Sequence, residues 1–296
     1  LAKYGRIDLD PKHKQRLDVL LYGKTLRACK ADDADLFVTD MQTLKRCRQE
    51  YLNATPVPNQ RINFYVSGSG GIGKGFTCEA LARALFPNIK NDEDLFFTVG
   101  AGNVLFEGYD GQPVIIWNDR RAIDLLVALD SRENVFNLFD THPKDIMQNV
   151  KFAAVKLTNV VNIVNSVQPY HEFLDALSGE YTDKHGNTYK SEESEKSQSY
   201  RRFPFGITVQ SDCYTLESNN GFILCDSGLY TDLHCQTYKG SAVAAYRHYC
   251  KRDREELVKV DSRLFASLVE TYNKCMETGF TSCDSDSDFD DFGKIA

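Results

Sequence analysis

Gly68-Ser69-Gly70-Gly71-Ile72-Gly73-Lys74-Gly75 is the stretch on which the fold of this chain turns. The run leading into it, Ile62-Asn63-Phe64-Tyr65-Val66, is apolar and β-prone, and Phe76 to Leu85 behind it has the Ala/Leu-rich pattern of a helix. Strand, glycine loop ending in Gly-Lys, and helix form the context a phosphate-binding P-loop needs. Glycines reach backbone angles closed to other residues, so successive N–H groups can turn inward around a polyphosphate. The helix start adds its own unpaired N–H groups and partial positive charge. Lys74 then reaches the β- and γ-phosphates. The candidate nucleotide-binding residues are Gly68, Gly70, Gly71, Ile72, Gly73, Lys74, Gly75 and Phe76. One position departs from the motif, which has Ser or Thr after the lysine to hold Mg²⁺; here it is Gly75.

Downstream, Leu95-Phe96-Phe97-Thr98-Val99 reads as a short strand broken by Gly100-Ala101-Gly102. Pro113-Val114-Ile115-Ile116-Trp117 reads as a buried strand, and it ends in Asn118-Asp119. An apolar strand ending in acidic residues after a P-loop is the Walker B pattern, in which one carboxylate supports Mg²⁺ and the next polarises the attacking water. Asn118 and Asp119 are therefore the candidate metal-side residues, and Asp119 is the catalytic one. Residues 120–139 carry an apolar stripe and are predicted helical, with the stripe as core. Val150 to Leu157 and Val160 to Val164 are two further β-like runs, the first punctuated by Lys151 and Lys156. Asn165-Ser166 ends the second. A polar residue at a strand tip beside the P-loop strand can bond the γ-phosphate or the attacking water.

The flanks are less specific. Residues 1–23 read as a linker, and 24–58 as a helical segment with Asp40 capping a helix over 41–53. The segment packs on the core or forms an oligomerisation collar. Residues 178–199 are polar and read as a mobile surface loop. Residues 213–280 suggest short strands followed by helix, and 281–296 an acidic, disordered tail. The chain has 296 residues, 42% hydrophobic and 26% charged, as expected of a globular protein. No apolar run approaches a membrane span, so no membrane partner is expected. The net charge of −7 argues against wholesale coating of nucleic acid but not against a strand held in a narrow channel by local basic groups. Nine cysteines lie without a tight pair. Cys213, Cys225, His234 and Cys235 have spacings that fit no common zinc pattern. Residue 1 is Leu, which reads as a piece of a longer chain with a further domain upstream.

The motifs together resemble a family. Leu105-Phe106-Glu107-Gly108-Tyr109-Asp110-Gly111-Gln112-Pro113 runs into Val114-Ile115-Ile116-Trp117-Asn118-Asp119. This is similar to the block preceding and including Walker B in the replication initiators (Rep) of small circular single-stranded DNA viruses and rolling-circle plasmids. Asp140-Thr141-His142-Pro143 resembles the motif that follows there. Ile163-Val164-Asn165-Ser166-Val167-Gln168-Pro169 resembles their motif C, and Tyr200-Arg201-Arg202 their arginine-finger segment. The resemblance covers about residues 60–210, in order.

That resemblance implies a superfamily 3 helicase. The expected fold is α/β: a P-loop, AAA+-like ATPase core over 59–212, with an N-terminal helical segment and a mixed β/helical C-terminal region. It implies ATP and Mg²⁺ as cofactors, single-stranded DNA as partner, and a homo-oligomer, a hexamer. By residue, it gives Lys74 the phosphates, Asp119 the attacking water and Asn165 the sensor role, with Ser166 aligning about as well. Arg202 or Arg201 becomes a finger acting on the neighbouring subunit. Lys151, or alternatively Lys156, becomes the DNA-binding lysine of a pore hairpin. The family's nuclease domain needs a His-hydrophobic-His pair, which this sequence lacks; Tyr181-Thr182-Asp183-Lys184 imitates only its tyrosine motif. Compartment follows origin: cytoplasmic for a bacterial plasmid type, nuclear for a eukaryotic virus. The acidic tail is a candidate docking segment for host replication proteins. Gly75 and Asn118 motivate a rival, a nucleotide-dependent ring-forming DNA-binding module with weak hydrolysis. A monomeric P-loop kinase is a third reading, opposed by motif C and the arginine pair.

Overall fold

The computed structural model describes residues 10–100, 104–145, 147–150, 153–182, 185–190, 193–225, 228–251 and 263–278. Three helices come first: α1 (Pro11–Tyr22), α2 (Leu26–Asp32) and α3 (Ala34–Ala54). The side chains of Asp10, Thr25 and Asp33 accept from the backbone N–H of His13, Ala28 and Leu36. Each thereby satisfies one of the N–H groups a helix start leaves unpaired. Two expectations change here. Residues 11–22 of the expected linker are helix, because Val19 buries fully against Cys29, Leu44 and Cys47. The long helix starts at the Asp33 cap rather than at Asp40. The Asp40 carboxylate instead accepts from Arg16 Nε at 2.6 Å, tying α1 to α3.

The core follows as β1 (Ile62–Ser67), α4 (Lys74–Leu85), α5 (Asp92–Leu95), β2 (Phe96–Thr98), β3 (Val114–Trp117), α6 (Ala122–Ala128) and α7 (Arg132–Leu138). Next are β4 (Met147–Val150), β5 (Ala153–Lys156), β6 (Val161–Ser166), α8 (Tyr170–Ser178), β7 (Tyr181–Thr182), β8 (Thr188–Tyr189) and α9 (Glu193–Arg202). The last are β9 (Phe205–Val209), β10 (Cys213–Cys225), β11 (Gly228–Lys239), α10 (Ala242–Tyr246), a π-helical turn Arg247–Lys251, and α11 (Arg263–Thr278).

Seven strands form one sheet in the order β11-β10-β9-β1-β6-β3-β2. The five from β9 to β2 run parallel; β10 and β11 continue antiparallel. Every residue of β1 and β6 is buried, which explains why these strands read as continuous apolar runs rather than alternating ones. Alternate residues feed two cores. Tyr65, Trp117 and Val164 join the cluster containing Leu125, Phe136, Phe173 and Leu177. Phe64, Val66, Ile116 and Ile163 join the one containing Leu81, Leu264 and Leu268. Two polar residues interrupt the apolar runs. Asn63 and Asn162 are register partners. Asn162 donates to Asn63 Oδ1 (2.8 Å), and Asn63 donates to the carbonyls of Phe139 and Arg202. Their burial is tolerable because these amides have partners.

This is the expected mixed α/β P-loop core. Three boundaries differ. The helix predicted over 120–139 is two, α6 and α7, divided near Asp130 (φ 67°) and restarted by Ser131 as cap. The stretch 178–199 contains the β7–β8 ladder and the start of α9. Finally, β10 pairs directly with β9, so the core does not stop at 212: the hairpin covers what would be an open edge beside β9. The acidic tail lies outside the described residues. Among the described residues, no helix is long and apolar enough to cross a membrane.

Candidate nucleotide site

The loop between β1 and α4 takes its shape from positive backbone angles. Gly71 (φ 75°) and Gly73 (φ 99°) occupy the left-handed region that disfavours side chains. A Cβ on Gly73 would also stand 2.6 Å from the Cβ of Ala242. The loop is thus pressed against the start of α10. Lys74 opens α4; it is buried, and its Nζ donates to the carbonyls of Gly68 (3.1 Å) and Ser69 (3.0 Å). Ile72 packs on the core as part of the loop's anchor.

Strand order brings the other half of the site alongside. Because β6 lies between β1 and β3, its last residues stand between the P-loop and Asn118-Asp119. Asn165 is bonded to both residues of the acidic turn. Its Nδ2 donates to Asn118 Oδ1 at 2.7 Å, and its Oδ1 accepts from the Asp119 N–H at 3.0 Å. Asp119 adopts φ 48°, uncommon for a residue with a side chain. Such angles collect at functional sites, where surrounding bonds hold them. The neighbouring Ser166 hydroxyl accepts from the Gln168 N–H, so of the two sensor candidates Asn165 is the one bonded to the acidic turn. Asn165 Nδ2 also approaches Cys78 Sγ at 3.4 Å. Burial pushes the Cys78 thiol up to about 12, against a smaller opposing effect of that contact, so it remains neutral.

Gly71, Gly73, Lys74, Gly75 and Phe76 line one cleft of about 370 Å³ with Asn118, Asp119 and Asn165. A larger cavity of about 610 Å³, between α4 and α11, contains no phosphate-binding loop. Glu79 also lines the cleft and was not singled out from sequence. The available signal was spacing, since positions three and four apart share a helix face and Glu79 follows Gly75 by four. Burial raises the Glu79 carboxyl, opposed by Lys251.

The donor set fits Mg²⁺ through one protein carboxylate. Gly75 offers no hydroxyl, and the Asn118 amide oxygen already accepts from Asn165. Thr77 is fully buried, its hydroxyl donating to the Gly73 carbonyl, and it is no substitute. Of the two carboxylates lining the cleft, Asp119 is the one at the acidic turn and Glu79 lies on α4 beyond Phe76; Mg²⁺ is commonly held by one or two carboxylates with substrate phosphates and water. Among the described residues, no group of three or more His, Cys, Asp or Glu is arranged to hold a metal.

The remaining candidates lie away from this cleft. Arg202 is buried, with Nε donating to the Phe136 carbonyl (2.6 Å) and Nη1 to Gln198 Oε1 (2.7 Å). Its guanidinium lies over the Phe136 ring and 3.6 Å from Asp140. Those contacts commit Arg202 to its own subunit, contrary to a finger role. Arg201 is half-buried and donates to Gln198 Oε1. Lys156 is buried and paired with Asp145 at 2.9 Å, which occupies the ammonium a strand contact would need. Lys151 lies outside the described residues, between β4 and β5 in sequence.

The Gly108–Gln112 block is a joint. Arg48 of α3 donates to the Asp110 carboxylate and carbonyl, whose other carboxylate oxygen accepts from the Leu26 N–H. Tyr109 shares a hydrogen bond with Thr158, and Gln112 donates to the Glu93 carbonyl. The block therefore fastens the N-terminal helices to the sheet. No curated protein matches the chain. Residues 64–167, from β1 through the end of β6, match the family model described as RNA helicase, a superfamily 3 helicase-type domain.

Proposed function

We propose that the chain is the ATP-hydrolysing helicase part of a rolling-circle replication initiator, moving along single-stranded DNA as a ring oligomer, a hexamer by family resemblance. The observation that carries the motor reading is the Asn165 bridge between Asn118 and Asp119, facing Lys74 across one cleft. A single amide fixed to both sides of the acidic turn can report the state of the γ-phosphate to β6 and the sheet. Backbone N–H groups of the loop and Lys74 hold the phosphates, and Asp119 orients and polarises the attacking water. Mg²⁺, held through Asp119, would supply neutralisation of the phosphate charge. Arg201 is the finger toward a neighbouring subunit, and Lys151 the contact to the strand. Apolar side chains exposed on the N-terminal helices, Leu21, Tyr22, Val38 and Met41, support a subunit contact there. The acidic tail is assigned to host replication proteins, and the compartment to the cytoplasm of a plasmid-bearing cell, or to the nucleus if the origin is a eukaryotic virus.

ATP turnover with and without single-stranded DNA tests the proposal. Stimulation by DNA and its loss in Lys74→Ala are expected; turnover unaffected by Lys74→Ala removes the site assignment. The family description makes RNA the competing strand. Stimulation by RNA alone rejects the DNA assignment while leaving the motor.

The Gly75 and Asn118 positions favour a second reading, a ring that binds nucleotide and hydrolyses it slowly. A Cβ on Gly75 meets nothing within 4 Å, so Ser fits there. Under this reading Gly75→Ser with Asn118→Asp raises turnover at least about tenfold, as lowering a barrier by ~1.4 kcal/mol does. Brisk turnover by the native chain rejects it.

A further inference from the structure

We infer that Phe76, backed by Tyr246, is the platform on which the base of the bound nucleoside triphosphate stacks, with Glu79 at its edge. The inference rests on the phosphate site proposed above and gives a role to the C-terminal segment. Phe76 follows Lys74-Gly75 in the first turn of α4. Phe76 lines the same cleft, and the residue is 42% exposed. A lone exposed phenylalanine needs no explanation. This one has an aromatic partner from another element: Tyr246 lies 4.6 Å away, centroid to centroid, with 31° between the planes. The Lys251 ammonium in turn sits 5.7 Å from the Tyr246 ring.

Two features hold this group at the phosphate loop. The close approach of Gly73 to Ala242 presses α10 against the loop, and Ser241 caps α10 by accepting from the Ala244 N–H. Gly75, without a side chain and with open space about its Cβ position, leaves room between Lys74 and Phe76 for a ribose. Among the described residues, Glu79 is the only carboxylate besides Asp119 lining the cleft. Beside phosphates it would repel. Three residues beyond Phe76 on the same helix face, it can instead accept from the exocyclic amine of adenine. A base resting on an aromatic face gains from stacking whatever its identity, so the platform supplies affinity and the Glu79 edge supplies preference.

Equilibrium binding of ATP and of inorganic tripolyphosphate to the full chain tests this. Phe76→Leu keeps apolar bulk at a partly exposed position, and Tyr246→Leu removes the backing ring. Both are expected to weaken ATP about tenfold, within the range for one base–aromatic stack, while tripolyphosphate binding is unchanged. Unchanged ATP affinity in Phe76→Leu, or equal weakening of both ligands, overturns the platform and leaves the phosphate site standing. If Lys74→Ala changes neither ligand's binding, the phosphate site itself fails and the platform falls with it.

Discussion

Arg201 and Arg202 are adjacent in sequence and both donate to Gln198 Oε1, but Arg202 is buried and Arg201 only half-buried. Arg202 donates to a backbone carbonyl of α7 and to Gln198, and lies on the Phe136 ring. Removing it strips the buried Phe136 carbonyl of this donor and the Phe136 ring of its cation, while Gln198 Oε1 keeps Arg201; an unsatisfied buried group costs about 1–3 kcal/mol. Arg202→Ala is therefore expected to lower unfolding stability by about 2–3 kcal/mol in denaturant melts. Arg201→Ala is expected to stay within about 0.5 kcal/mol of the native chain yet to cut turnover of the assembled ring about a thousandfold, the scale of a lost arginine finger. A stable, inactive Arg202→Ala beside an active Arg201→Ala would reverse the assignment. The arginine pair was legible as a motif because it is local. Which member faces inward was not, because the carbonyl that binds Arg202 lies 66 residues away.

At the scale of elements, the joint between α3 and the sheet is the feature with the clearest energetic consequence. The Arg48–Asp110 pair is nearly buried on both sides, with side chains 7% and 13% exposed. Burial raises the Asp110 carboxyl despite Arg48 beside it, so without Arg48 the buried carboxylate loses its counterion and must be held at a cost or protonated. Arg48→Met is expected to destabilise by about 3–5 kcal/mol, and Arg48→Met with Asp110→Asn by clearly less, because the second change removes the orphaned charge. Thermal and denaturant melts of the two variants decide it. Equal stability of Arg48→Met and the native chain would show that the joint is held by packing alone. The block containing Asp110 resembled a helicase motif in sequence, but the sequence did not reveal its fastening role. Its partners, Arg48 and Leu26, precede it by 62 and 84 residues.

At the scale of the whole molecule, the N-terminal helices bear on assembly. Tyr22 is 79% and Val38 70% exposed on the N-terminal helices, apolar area that a subunit contact would remove from water. With an ATP analogue and single-stranded DNA, particle images of the native chain are expected to show a closed ring. Tyr22→Glu with Val38→Glu is expected to shift it to monomers in sedimentation velocity, with the melting temperature preserved because neither side chain packs in the core. A native chain that stays monomeric under those conditions argues against the ring and, with it, against a finger acting between subunits. With a net charge of −7, the strand contact proposed above would rest on local basic groups and on subunit geometry rather than on overall charge.

The sequence by itself determined the P-loop, the acidic turn and the strand β6 that ends in Asn165-Ser166. Each depends on short-range chemistry: glycines where φ must be positive, a lysine at a helix start, and largely apolar, non-alternating runs where parallel strands are buried on both faces. The tertiary structure alone decided which of these residues act together. It placed Asn165 across Asn118 and Asp119, turned Arg202 and Lys156 inward to intrachain partners, and brought Tyr246 to Phe76 from 170 residues downstream. The reason is physical. A side chain's role depends on what its charge or ring meets, and those partners are set by sheet order and helix packing rather than by neighbours along the chain.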